Sequence, residues 1–160
     1  MADVTLDHLN AADRAGFVAA LDGIFEHSPW VAEEAAAGRP FASLAALFAA
    51  LCAALRNADP ARRLALIKAH PDLAGKAARA GSLTAASTAE QTGAGLDLLT
   101  EDEFAAFHRL NTAYGDKFGF PFIVCVRRLT KEFILKAFAQ RLENGREAEI
   151  ATALDEICRI

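Results

Sequence analysis

The stretch Phe41-Ala-Ser-Leu44-Ala-Ala-Leu47-Phe48-Ala-Ala-Leu51-Cys52-Ala-Ala-Leu55-Arg56-Asn57 decides the fold class. Leu44, Leu47, Phe48, Leu51 and Leu55 recur at steps of three and four residues, the period of one helix face. Neither glycine nor proline interrupts the run, and the alanines between the large side chains have the highest helix propensity of any residue. The spacing predicts a buried helix over 41–57.

The same period extends in both directions. Upstream, Ala12–Glu26 places Phe17, Leu21, Ile24 and Phe25 at helical spacing before Ser28-Pro29 ends the segment. Trp30–Ala37 reads as a short helix closed by Gly38, with Pro40 behind it. Downstream, Asp59-Pro60 is an N-cap followed by proline at the first helical position. That helix reaches about Ala69, because Pro71 disfavours helical backbone at His70.

Residues 80–86 read as a loop. Ser87-x-x-Glu90 has the form of a capping box, with Ser87 as N-cap and Glu90 reaching back to its amide. Thr100-Glu-Asp-Glu103 has the same form and opens a helix carrying Phe104, Phe107, Leu110 and Tyr114. Thr130 caps a helix through Leu142, Asn144-Gly145 breaks it, and Arg146–Ile160 is the last helix. Gly119-Phe-Pro-Phe-Ile-Val-Cys-Val126 is β-like in composition, but its proline and isolation argue against a sheet. The expectation is one all-α domain over 1–160, a helical bundle with one short extended segment near Phe122.

Composition narrows the function classes. The 160 residues suffice for one domain with its own core. The 53% apolar share is rich in alanine, and a net charge of −4 with both signs interspersed offers no basic face for nucleic acid. Cys52, Cys125 and Cys158 form neither a CxxC pair nor an even disulfide framework, which fits a reducing cytoplasm. The run at 41–55 is too short to span a bilayer, and the N-terminal residues lack the charged and apolar regions of a secretory signal. A soluble cytoplasmic protein without membrane or nucleic-acid partners is expected.

The residue hardest to explain as packing is His70, in Ala69-His-Pro-Asp-Leu-Ala-Gly-Lys76. A histidine at a helix end complements the macrodipole. Pro71, with its φ fixed near −65°, would also make a stiff mount for a proton donor. His8, His27 and His108 lack such a context and read as surface residues. No HExxH or paired-histidine pattern occurs, so neither metal nor cofactor is expected.

The start of a helix at Ser87-Thr88-Ala89-Glu90-Gln91 would offer amide donors and a positive dipole end to an anionic ligand, alongside its capping role. Gln91 adds a donor and acceptors suited to an amide-bearing molecule. Phe122-Ile123-Val124-Cys125-Val126 reads most simply as a core strand or buried connector, yet its backbone lacks intrahelical partners and could be offered to a planar heterocycle. Cys125 has no adjacent base and makes a weak nucleophile. These residues describe a proton-handling site of His70 and Glu90, and they name no reaction.

The blocks His70-Pro71-Asp72-Leu73-Ala74, Ser87-x-x-Glu90-Gln91-x-x-Ala94-Gly95-Leu96 and Leu110-Asn111-x-x-Tyr114-x-x-Lys117-Phe118-Gly119-Phe120-Pro121-Phe122-Ile123-Val124-Cys125-Val126-Arg127 resemble those of the OHCU (2-oxo-4-hydroxy-4-carboxy-5-ureidoimidazoline) decarboxylases. Arg141-Leu142-x-Asn144, Glu149-Ile150 and Glu156-Ile157 extend the resemblance over essentially the whole chain. It implies an all-α homodimeric, cofactor-free enzyme of urate breakdown that forms (S)-allantoin and CO₂ from OHCU. It also implies His70 as the catalytic proton donor, Glu90 as its partner, and Pro71, Ser87–Gln91 and Phe122–Val126 as the substrate lining. Family members commonly continue past the last helix with a basic stretch in which an arginine can reach the substrate; here Arg127, Arg128, Arg159 or an arginine beyond Ile160 would meet the substrate carboxylate. The alternatives are a member of the same fold that binds a ureide or purine metabolite without turning it over, and a helical interaction protein.

Overall fold

The computed structural model describes residues 4–75, 81, 83–127 and 129–160, and its regular structure there is entirely helical. The helices are α1 Leu6–Ala11, α2 Arg14–Ala20, α3 Trp30–Ala35 with a 3₁₀ turn Ala36–Gly38, α4 Leu44–Asn57, α5 Pro60–Ala69, α6 Ala85–Gly93, α7 Glu101–Phe118, α8 Lys131–Arg141 and α9 Arg146–Arg159. Among the described residues no single helix is long and apolar enough to cross a membrane. The chain divides into two compact units, 1–66 and 67–160.

In the first unit, α4 begins three residues later than the apolar period suggested, because Ser43 takes extended backbone and accepts the Ala46 amide with its hydroxyl. Leu47, Leu51, Cys52 and Leu55 are buried, whereas Leu44 and Phe48 are 66% and 53% exposed. The buried stripe is therefore narrower than the sequence pattern. The helix expected over 12–26 shortens to α2 alone: Asp13 caps it through the Gly16 amide, and turns follow it to Ser28. α1, capped by Thr5, has no counterpart in the sequence reading. Asn10 fixes Phe41 through two hydrogen bonds, at 2.9 and 2.8 Å, and Phe41 stacks on the fully buried Phe17. Asp59 caps α5 through the Arg62 amide, as its position before Pro60 suggested.

In the second unit, α7 opens on the expected capping box, with Thr100 and Glu103 exchanging both hydrogen bonds. It ends at Gly119, whose φ of +77° is the left-handed conformation that glycine adopts without steric cost. Tyr114 lies at the centre of an aromatic cluster with Phe118, Phe120, Phe122 and Phe138. Phe122 stacks on Phe138 of α8 at 3.7 Å between ring centroids.

The extended segment expected near Phe122 is not a strand. Residues 121–126 carry no regular secondary structure and run as an irregular connector between α7 and a turn at Arg127. Burial of Phe122, Ile123 and Val126 anchors this connector by side-chain packing in place of a backbone ladder.

Candidate active site

α5 stops at Ala69, and the His70 amide donates to the Ile67 carbonyl at 3.3 Å. Pro71 then turns the chain, and His70 is half-buried, unlike the exposed His8, His27 and His108. The following residues are held by two side chains from other helices. The amide of Ala74 donates to Gln91 Oε1 at 2.9 Å, and Asn111 Nδ2 donates to the Leu73 carbonyl at 2.9 Å. Ala74 has φ of +49°, uncommon for a residue with a Cβ. Both carboxamides are buried, so the turn after His70 is fixed from within.

The cap of α6 differs from the sequence reading. Thr84 is the N-cap: its hydroxyl accepts the Ser87 amide at 3.2 Å and its carbonyl accepts the Thr88 amide at 2.9 Å. Ser87 is thus the third helical residue, not the cap, and Ser87–Glu90 is not a capping box. Two amides that the expected helix start would have presented to an anion are already paired. The loop expected over 80–86 gives way to helix at Ala85; Ala80 and Ser82 lie outside the described residues.

One cleft, open to solvent, gathers most of the predicted residues. His70, Pro71, Ser87, Glu90 and Gln91 line it from the first two motifs, and Phe122, Ile123, Val124 and Val126 line it from the third. Leu73 and Ile160 complete the wall without having been singled out in the sequence. Three predicted residues do not border it. Thr88 faces a neighbouring cavity beside Ala74 and Leu96, Ala89 borders a groove with Gly93 and Arg127, and Cys125 lines neither.

Several backbone groups of the connector are occupied. The Ile123 carbonyl accepts from Arg141 Nη1 at 2.6 Å, the Cys125 amide donates to Glu156 Oε2 at 2.8 Å, and the Val126 carbonyl accepts from Leu129. The amide and carbonyl of Val124 have no hydrogen-bond partner among the described residues. Arg127 donates to the Ile160 carbonyl at 2.9 Å and Arg159 pairs with Glu156; Arg128 lies outside the described residues.

Behind the connector is a polar network that sequence reasoning missed. Glu149, fully buried, accepts from the Tyr114 hydroxyl, from Asn144 Nδ2 at 2.7 Å and from Arg141 Nε at 2.9 Å, and it forms an ion pair with Arg141 Nη2 at 2.8 Å. Burial pushes its carboxyl up, but the donated hydrogen bonds outweigh burial and hold it below the ordinary carboxylate range. Burial also pushes the Tyr114 phenol well up, with the carboxylate adding to the effect, so the phenol keeps its proton and donates it. The legible signal was the period of α9, where Glu149, Ala153 and Ile157 share one apolar stripe; a carboxylate there requires buried donors.

Among the described residues no three His, Cys, Asp or Glu side chains converge as metal ligands. The arrangement is an imidazole and a carboxylate at a half-closed apolar cleft, beside an unpartnered amide and carbonyl. Such a site can bind a polar planar molecule and move protons on it.

Residues 10–160 match the family model described as OHCU decarboxylase. The 2-oxo-4-hydroxy-4-carboxy-5-ureidoimidazoline decarboxylase of Haloferax volcanii is 40% identical over 157 residues, which are 98% of this chain and 91% of that protein. The uric acid degradation bifunctional protein PucL of Bacillus subtilis is 44% identical over 156 residues, but the chain covers only 31% of its length. The crystal structure of (S)-allantoin synthase superposes with a TM-score of 0.74 at 32% identity, over 98% of this chain and 50% of that one.

Proposed function

This chain belongs to the OHCU decarboxylase family, and from that premise we propose that it converts 2-oxo-4-hydroxy-4-carboxy-5-ureidoimidazoline to (S)-allantoin and CO₂. The observation that carries the reading to particular residues is that His70 and Glu90 line one cleft with the connector 122–126.

The chemistry suits side chains alone. The substrate's hydroxyl and carboxyl share ring carbon 4. When the bond to the carboxyl breaks, its electron pair enters the neighbouring imine of the ring and leaves an enol. Collapse of that enol to a carbonyl places a hydrogen on carbon 5, which bears the ureido group, with net uptake of one proton. A planar intermediate protonated in water accepts the proton on either face and gives a racemate. The enzyme's task is therefore orientation, stabilisation of the enol and delivery of the proton to one face.

His70 is the donor, because imidazole titrates near neutral pH and Pro71 stiffens its mount. Glu90 orients the imidazole or the ring N–H groups. Pro71, Ser87, Gln91 and the connector contact the substrate. Positioned proton transfer contributes about 10²–10⁴-fold in rate. The working form is a cytoplasmic homodimer; the exposed Leu44 and Phe48, one turn apart on α4, supply apolar surface for such an association.

Circular dichroism on freshly prepared OHCU tests the assignment, since the enzymatic product is chiral. His70→Asn is expected to remain folded and to yield only racemic allantoin at the uncatalysed rate. Formation of (S)-allantoin at the wild-type rate by that variant would exclude His70 as the donor. Light scattering tests the dimer, which a monomer at assay concentration would exclude.

A further inference from the structure

Two consecutive peptide planes in the connector are gripped by charged side chains from other helices. Arg141 on α8 holds the Ile123 carbonyl, and Glu156 on α9 holds the Cys125 amide. Both peptides are trans, so in each plane the C=O and the N–H point in opposite directions. Fixing the Ile123 carbonyl toward Arg141 therefore turns the Val124 N–H away from it. Fixing the Cys125 N–H toward Glu156 likewise turns the Val124 carbonyl away. The two groups so aimed are those of Val124, which borders the cleft.

Neither grip is loose. Arg141 is anchored twice by the buried Glu149, and its guanidinium lies 4.4 Å from the Phe122 ring centroid. Glu156 is 13% exposed, and its second oxygen takes Arg159 Nη1 at 2.6 Å. We propose that Arg141 and Glu156 are positioning residues which, by fixing the planes on either side of Val124, aim its N–H and C=O at the ureido group of the substrate. A ureido edge carries N–H beside C=O and complements a donor and an acceptor offered by one residue. The proposal deepens the decarboxylase reading and rests on it for the identity of the ligand.

Glu156 gives the gentler test, because it is not part of the buried Glu149 network. Glu156→Gln keeps a carbonyl oxygen for the Cys125 amide, whereas Glu156→Ala removes it. In ligand-free protein, Glu156→Ala is expected to lose hydrogen-exchange protection at the Cys125 amide and to melt several degrees below wild type, as the loss of that one hydrogen bond requires, with Glu156→Gln close to wild type in both. With OHCU the KM of Glu156→Ala should rise about tenfold, the combined worth of two neutral hydrogen bonds to the ureido group, and the enantiomeric excess should fall. Glu156→Gln should keep both. Wild-type KM and enantiomeric excess in the alanine variant, or equal impairment of both variants, would overturn the positioning role.

A readout independent of turnover separates this proposal from the decarboxylase reading. Saturating (S)-allantoin should protect the Val124 amide in wild type and Glu156→Gln, and not in Glu156→Ala. Absence of that protection in wild-type protein that turns OHCU over overturns the positioning proposal alone. Absence of turnover with protection retained overturns the decarboxylase reading alone.

Discussion

Gln91 Oε1 accepts the Ala74 amide at 2.9 Å, and through that bond a helix seventeen residues downstream holds a left-handed turn beside His70. Non-glycine residues reach positive φ at a cost of roughly 1–2 kcal/mol, so the turn persists because its surroundings fix it. Gln91 was singled out in the sequence as a ligand for an amide-bearing molecule. Its carboxamide oxygen is occupied by the protein's own backbone, although its side chain still borders the cleft.

Gln91→Ala should therefore act on stability and turnover together. Leaving the buried Ala74 amide without an acceptor costs about 1–3 kcal/mol, readable as a lower urea midpoint. Slackening the His70 turn should lower kcat as well. Gln91→Glu keeps an acceptor oxygen and should recover more of the stability than alanine does. Equal loss of stability in both variants would contradict the role of the Ala74 bond.

Ala74→Gly relieves the positive φ directly. In a helix interior, alanine to glycine destabilises by roughly 0.5–1 kcal/mol. At Ala74 the relief of left-handed strain offsets that entropy, so chemical denaturation should show an unchanged or slightly raised midpoint. A loss as large as that of a helical alanine would mean that the turn is not strained.

Thr84 and Glu90 separate cap from catalysis. Thr84 caps α6, so Thr84→Ala should cost about 1 kcal/mol in thermal or chemical unfolding. Glu90 stands in the second turn and is not the reciprocal partner of a capping box. Glu90→Gln should then leave the melting temperature nearly unchanged and reduce formation of (S)-allantoin. A variant that is mainly destabilised and fully active would assign Glu90 a structural role.

The helix class and the three site motifs were legible because each depends on local period and local chemistry. Asp59, Thr100 and Thr130 announced their helices through hydroxyl or carboxyl caps in the expected places. Ser87 misled because Thr84 stands three residues earlier with the same chemistry, and the alanines between them fit either start. The grips on the connector carry no local mark: Arg141 and Ile123 are 18 residues apart, and Glu156 and Cys125 are 31 apart. The period of α8 places Arg141 after Ile134 and Phe138 on one stripe, which shows that the side chain turns inward without saying what it meets. Likewise the leucine stripe of α4 set the helix, while the exposure of Leu44 and Phe48 depends on neighbours that periodicity does not specify.

The Glu149 network predicts how stability depends on pH. Its carboxyl titrates below the ordinary value of 4.5, so in the acid range the unfolded chain binds the proton more readily than the folded one. Stability from this group is therefore fully present above the unfolded value and is lost as pH falls through the lower folded value. Tyr114→Phe keeps the ring in its aromatic cluster and removes one donor to Glu149. Loss of that donor should bring the Glu149 pKa closer to 4.5 and move the acid-unfolding midpoint to higher pH. At neutral pH the variant should also be about 1.5–3 kcal/mol less stable, the worth of a hydrogen bond to a charged acceptor. Arg141 keeps its two contacts with Glu149, so the connector stays gripped and KM for OHCU should change little. An acid midpoint that stays put, measured by circular dichroism from pH 6 downward, would show that the tyrosine does not help hold the carboxylate ionised.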